Sequence, residues 1–371
     1  MQNKLLYVLL TLVPTTNLFD LFFPISVLGF SFWNTFLVFA VLHLLLFNNK
    51  FTKKEFLPIL FFSFCYAVLA FLKSFLYEEP FSRIFSNWWY LHMSLIFILI
   101  IKKIKPSKLV FSNILLFHVL FLGLIGAFYF FNLPTIEIQS ENTKLVFAGI
   151  KHRYEGIYSG SNVYSSILVT FFIFFFSISK RALIYWLILP LIVFLGLIAS
   201  GSRLSLFLFF IFIFYSFYNK NRFVFVIFFS YFIYLILSIL PDLQNYRVIS
   251  KGLEDQSRLD KTVFFLDLIR SNFIEVLTIG VDPVLMSSNN VSISDNSFSL
   301  IILNSGFFIF ILWLFLMKSI STNLFKSMFK QKFLFVAIIL IFSLNNAILY
   351  LPWVLFVLFY FNLKTPSRIE T

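Results

Sequence analysis

The chain has 371 residues, of which 60% are hydrophobic and 12% charged, with 58 Phe and a mean hydropathy of +0.94. No soluble domain carries that balance, so the chain has to bury itself in a bilayer. Its net charge of +13 would suit a nucleic-acid partner, but the basic residues gather at the ends of apolar runs, so no nucleic acid is expected. The sole cysteine, Cys65, lies inside an apolar run, which excludes a disulfide framework or a cysteine metal site.

Apolar runs near the ~20 residues needed to cross hydrocarbon as a helix fall at 5–22, 25–47, 56–77, 84–101, 109–131, 161–178, 182–199, 204–219, 223–240, 296–317, 333–350 and 352–363. They predict an all-α, polytopic integral membrane protein, a single transmembrane domain over 1–371 with about twelve transmembrane helices. The first run does not read as a signal peptide, since Pro14 and Asp20 interrupt it and no small-residue cleavage site follows. Positive charge resists translocation, which orients the chain. With both termini cytoplasmic, the inner loops hold Lys50, Lys53, Lys54, Lys102, Lys103, Lys105, Lys326, Lys330 and Lys332. The opposite face then takes nearly all the acids and most of the arginines. Arginine suits phosphate, because its planar fork donates two parallel hydrogen bonds and stays charged. The extracytoplasmic face is the expected working face.

Two extracytoplasmic loops are long, at 132–160 and 241–295. The second is the only long run that cannot live in lipid, and it carries Arg247, Arg258, Arg270 and Asp295. Within it RLDKTVFFLDLIRSNFIEVL has helical spacing that places Val263, Leu266, Ile269, Phe273 and Leu277 on one side. That pattern predicts an amphipathic helix lying on the membrane surface.

Four positions stand out for chemistry. Arg203, in LIASGSRLSLFLFF, has apolar sequence on both sides. An ionisable residue beside a span is a functional candidate, and the positive-inside bias weighs against the alternative of a plain headgroup anchor. Arg153, in KHRYEGIYSGSNVYSS, stands near Gly156, Gly160 and Asn162; a solvated arginine paired with Glu155 fits equally well. Arg258 opens the amphipathic helix, either as a surface charge or as a ligand. Asp295, followed by Asn296, suits an N-cap, or a base that takes a proton from a hydroxyl. The four histidines show no metal-ligand spacing, and neither a phosphate loop nor a nucleotide fingerprint is present. The expected reaction therefore uses no cofactor and no metal, on a substrate that arrives already activated from within the membrane.

Taken together, IASGSR at 198–203, KHRYEGIYSGSNVYSS at 151–166, QSRLDKTVFFLDLI, IGVDP at 279–283 and SDNSFSLIILNSGFFIFILWL at 294–314 resemble, in order and topology, the bacterial O-antigen polymerases of the Wzy type and the related O-antigen ligases. The likeness covers about 145–317; the earlier spans match only in being hydrophobic. It implies a glycosyltransferase of the bacterial inner membrane that joins undecaprenyl-pyrophosphate-linked oligosaccharides, as donor and acceptor, at the outer face, for lipopolysaccharide or other polysaccharide biosynthesis. It also implies a separate chain-length regulator as partner. Carried over, Arg203 and Arg258 hold the pyrophosphate and Arg153 helps seat glycan or phosphate. Asp295 stands where the ligases place a histidine before Asn, which favours a polymerase over a ligase. Arg247, Arg270, Asn162 and Asn296 complete the expected substrate-binding set. The rival from another class is a flippase or exporter of lipid-linked sugars, which needs charges near the bilayer midplane on broken helices.

Overall fold

In a computed structural model of the protein, the described residues are 53–81, 84, 89–103, 107–135, 154, 156, 158, 160–179, 183–220, 256–282 and 297–320, with Thr11, 26–27, 30–31 and scattered positions in 226–230 and 331–363. In chain order the elements are β1 (Ser26–Val27), β2 (Phe30–Ser31), α1 (Lys53–Tyr77), α2 (Trp89–Lys103), α3 (Lys108–Phe130), α4 (Ser161–Ile178), α5 (Leu183–Ser200), α6 (Arg203–Lys220), α7 (Gln256–Ser271), α8 (Phe273–Thr278) and α9 (Ser297–Ile320). The strands form an antiparallel pair, Ser26 opposite Ser31 and Val27 opposite Phe30. Among the described residues this pair is the one departure from an all-helical chain, and it takes the start of the run expected to span at 25–47.

Seven of the expected spans coincide with α1 to α6 and α9. The runs at 5–22, 223–240, 333–350 and 352–363 lie wholly or mostly outside the described residues. Among the described residues four stretches are long and apolar enough to cross a membrane: Glu55–Tyr77, Lys108–Phe130, Ser161–Ile178 and Ile301–Ile320. Shorter apolar stretches, Leu91–Ile100, Ile188–Ser200 and Arg203–Ser216, belong to α2, α5 and α6. α1 shows what the composition is for. Its inner stripe, Ile59, Phe62, Tyr66, Ala70 and Lys73, is buried, while Leu57, Phe61, Phe64, Phe71 and Phe75 are exposed on the outside. A helix apolar all round needs lipid on the side its neighbours leave open. The chain is a helical membrane protein.

The chain divides into two compact units, one of Met1–Val13, Ser26–Ser107 and Gln256–Thr371, the other of Pro14–Ile25 and Lys108–Asp255. In the first, α1 packs on α2 and α9, α2 on α9, and α8 on α9. Hydrocarbon offers no partner to polar groups, so they pair within the protein. The indole Nε1 of Trp313 donates to Ser94 Oγ at 2.8 Å, Ser94 donates to the Leu91 carbonyl at 2.7 Å, and the Tyr66 hydroxyl donates to the Ile84 carbonyl at 2.7 Å. Within the expected span at 296–317, α9 leaves helical geometry at Gly306, with φ 81° and ψ 157°.

In the second unit α3 packs on α5 and α4, and α4 on α5 and α6. Small residues let membrane helices approach closely. A Cβ added at Gly126 would lie 2.7 Å from the Cα of Gly196, so α3 and α5 meet backbone to backbone there. The fully buried Tyr164 of α4 runs into this seam and donates its hydroxyl to the Leu122 carbonyl at 2.8 Å. Phe172 packs tilted on Phe209 and edge to face on Phe212, and Phe194 stacks on Phe209, across α4, α5 and α6.

Candidate functional site

Two of the motifs singled out in the sequence meet at one end of the second unit. The Tyr154 amide donates to the Ala199 carbonyl at 3.0 Å, satisfying one of the carbonyls left free at the end of α5. Ser202 Oγ donates to Ser205 Oγ at 3.2 Å, Ser205 Oγ to Ser165 Oγ at 3.0 Å, and Ser165 Oγ to the Asn162 carbonyl at 3.1 Å. This one-directional hydroxyl chain ties the first turn of α4 to the first turn of α6. Ser165 and Ser205 are both fully buried, where a satisfied polar chain rigidifies its surroundings. Behind it Tyr154, Tyr158 and Tyr164 are buried, Tyr154 stacked edge-on against Tyr164 and tilted against Tyr129 of α3.

Arg203 is the first residue of α6, half-buried, directly after the Gly201–Ser202 turn and two positions from Ser205. Each helix N-terminus carries roughly half a positive charge from its unpaired amides. The N-termini of α4 and α6 lie side by side, and Arg203 adds a full charge. Such a corner is electrostatically suited to an anion, phosphate above all.

The other expected site residues fall differently. Asn162 is in the first turn of α4, where its backbone carbonyl closes the serine chain. Arg258 is in the first turn of α7, in the first unit, whereas Arg203 belongs to the second. Arg270 is exposed in the last turn of α7, where a cation complements the helix dipole. Arg153, Arg247, Asp295 and Asn296 lie outside the described residues, as do most of the loops 132–160 and 241–295. Among the described residues no three His, Cys, Asp or Glu side chains are grouped as a metal site needs.

The structure also shows a charged centre that the sequence did not single out. Lys73, only 3% exposed, donates its ammonium to the carbonyls of Val281 at 2.6 Å and Asn304 at 2.8 Å. Glu275 and Asp282 act on it electrostatically, and Tyr77, whose ring centroid is 5.9 Å from the ammonium, hydrogen-bonds Glu275. Lys73 thus sits at the break in α9 and at the end of α8. The signal in the sequence is a lysine in the apolar body of the 25-residue α1, with Tyr77, Glu78 and Glu79 four to six residues further on.

No protein-family model, no characterised protein and no solved structure matches the chain.

Proposed function

We propose that the protein is a polysaccharide polymerase, an integral-membrane glycosyltransferase that joins undecaprenyl-pyrophosphate-linked repeat units at the outer face of the bacterial inner membrane. The observation that carries this reading is the meeting of the 154–166 and 198–205 segments at one end of the membrane helices, beside Arg203 and two helix N-termini. The resemblance names those same two segments. A pyrophosphate leaving group gains charge as the glycosidic bond forms, and a preorganised arginine beside helix amides stabilises that charge where water is scarce. In this reading Arg203 holds the departing pyrophosphate, assisted by Arg258, and Asp295 takes the proton from the attacking hydroxyl. The oxygen forms its bond to the anomeric carbon as the bond to phosphate breaks, with placement and electrostatics supplying the catalysis.

One observation favours the rival reading of a lipid-linked sugar flippase: α9 is broken and a lysine is buried at the break. Transport sites on broken helices lie near the midplane, about 15 Å from either face of a ~30 Å core. Lys73 is four residues from the end of α1, about 6 Å along the axis. By that measure the lysine lies outward of the midplane, which favours the polymerase reading. The deciding experiment is Arg203→Ala in a cell that makes the polymer. The polymerase reading predicts loss of long chains while single lipid-linked repeat units still reach the outer face; repeat units trapped inside mean transport.

A further inference from the structure

Two independent rulers give the depth of the chain around Val281. Lys73 lies four residues inside the end of α1, about 6 Å at the helical rise, and Asn304 and Gly306 lie seven and nine residues inside the start of α9, about 10–14 Å. Lys73 bonds Asn304 directly, so both rulers place this junction inside the apolar part of the helices. Val281 is joined to both, its amide donating to the Leu303 carbonyl at 2.6 Å and its carbonyl accepting from Lys73 at 2.6 Å. The non-helical backbone at 279–282 is therefore level with the hydrocarbon-crossing part of α9.

Irregular backbone survives at that depth only where the protein itself satisfies it. Here it does. The amides of Ile279 and Gly280 donate to the Glu275 carbonyl at 3.0 and 2.7 Å, and both polar groups of Val281 are paired as described. Gly280 and Gly306, with φ of 80° and 81°, bring the two backbones so close that a Cβ on either would strike the other strand. On the side away from α9 the segment is apolar and open: Phe273 is 58% exposed and Ile274 76%, with Leu277 exposed beside them. The helices it is bonded to expose Phe71, Leu72, Phe75 and Leu76 on α1 and Phe307, Phe308 and Ile311 on α9 at neighbouring depths.

We propose that residues 273–282 form a re-entrant segment that dips into one leaflet and returns, presenting Phe273, Ile274 and Leu277 to lipid acyl chains, with Lys73 as the tether that sets its depth. The surface-lying helix read from the sequence becomes an arm whose charged start stays at the interface and whose end is sunk in hydrocarbon. The proposal is independent of any glycan chemistry.

The test uses the full chain with Cys65→Ser, reconstituted in phosphatidylethanolamine and phosphatidylglycerol vesicles, with a nitroxide on one introduced cysteine: Ile274→Cys, Ile311→Cys or Asp267→Cys. Collision with oxygen reports lipid, and collision with a water-soluble nickel chelate reports water. The label at 274 should match that at 311, high in oxygen and low in nickel, while the label at 267 collides severalfold more with nickel. Adding Lys73→Met should raise nickel collision at 274 severalfold and leave 311 unchanged; an unchanged 274 removes Lys73 as the tether. Nickel access at 274 equal to that at 267 in the parent overturns the insertion, as does a position reached by neither reagent, which means a second protein surface covers it. Ile274→Trp with Lys73 intact gives a reading that does not depend on the Lys73 variant folding. Acyl-chain bromines about 5–10 Å below the headgroups should quench it; a tryptophan that no bromine quenches refutes the proposal.

Discussion

Lys73 concentrates several costs at one atom. A lysine inside an apolar helix is expensive unless it is paired, and its two carbonyl partners are themselves backbone groups released by the break in α9 and the end of α8. Lys73→Met keeps the aliphatic stem but leaves both carbonyls without that donor, at about 1–3 kcal/mol for each group. A clear fall in the thermal unfolding midpoint in detergent is the expected result. The glycines give a sharper contrast. Gly280→Ala and Gly306→Ala place a Cβ against backbone at a left-handed φ, and each should cost more than ~2 kcal/mol, strain and collision combined. Gly160→Ala should be close to neutral, because its φ of 175° is ordinary extended backbone and its nearest neighbour, Val163 Cγ2, is 3.8 Å away. Unfolding midpoints of the three variants, measured side by side, check this ranking. None of it was legible in sequence: one lysine is diluted in a hydropathy window, and the need for glycine at 280 and 306 arises only where two distant segments touch.

At the scale of elements the apolar runs proved a good guide to helix limits, α4 coinciding with the expected 161–178 and α3 lying within a residue of 109–131. Length and hydropathy carry that information because hydrocarbon thickness sets it. α7 and α8 carry a second, protein-facing apolar stripe beside the one expected to face the membrane. Leu268 and Val276 form the buried cluster with Val281 and Leu303, flanked by Phe264, Phe265 and Ile269, whereas Val263, Leu266, Phe273 and Leu277, placed on the expected apolar face, are exposed. The arm is apolar on both faces, and the interruption at Asn272 between α7 and α8 shifts the helical phase, so periodicity alone could not tell a protein-facing stripe from a lipid-facing one. The seam between α3 and α5 offers a test of packing. A Cβ at Gly196 would lie 2.8 Å from the buried Tyr164 hydroxyl and 3.1 Å from Leu168 Cδ2, so Gly196→Ala should destabilise. Tyr164→Phe alone should cost about 1 kcal/mol for its hydrogen bond to Leu122. Because removing the hydroxyl also relieves the clash, the double variant should be less unstable than the sum of the two by at least ~0.5 kcal/mol in a double-mutant cycle.

For the whole molecule, the sequence carried two different kinds of information. That the chain is a bundle of membrane helices follows from composition, and the structure has it so. The resemblance names the motifs at 151–166 and 198–203 without saying that they meet; the hydrogen bonds from Tyr154 to Ala199 and from Ser205 to Ser165 bring their described residues together. Arg153, Asp295 and Asn296 lie outside the described residues, and Arg258 stands in the first turn of α7. The measurement that bears most directly on the account is polymerisation by the purified protein in lipid vesicles, supplied with a defined undecaprenyl-pyrophosphate-linked repeat unit. The account predicts a ladder of glycans that grows by whole repeats and disappears in Arg203→Ala while the helical content of the variant is unchanged. A parent protein that yields no ladder, or an Arg203→Ala variant that yields a full one, would contradict it.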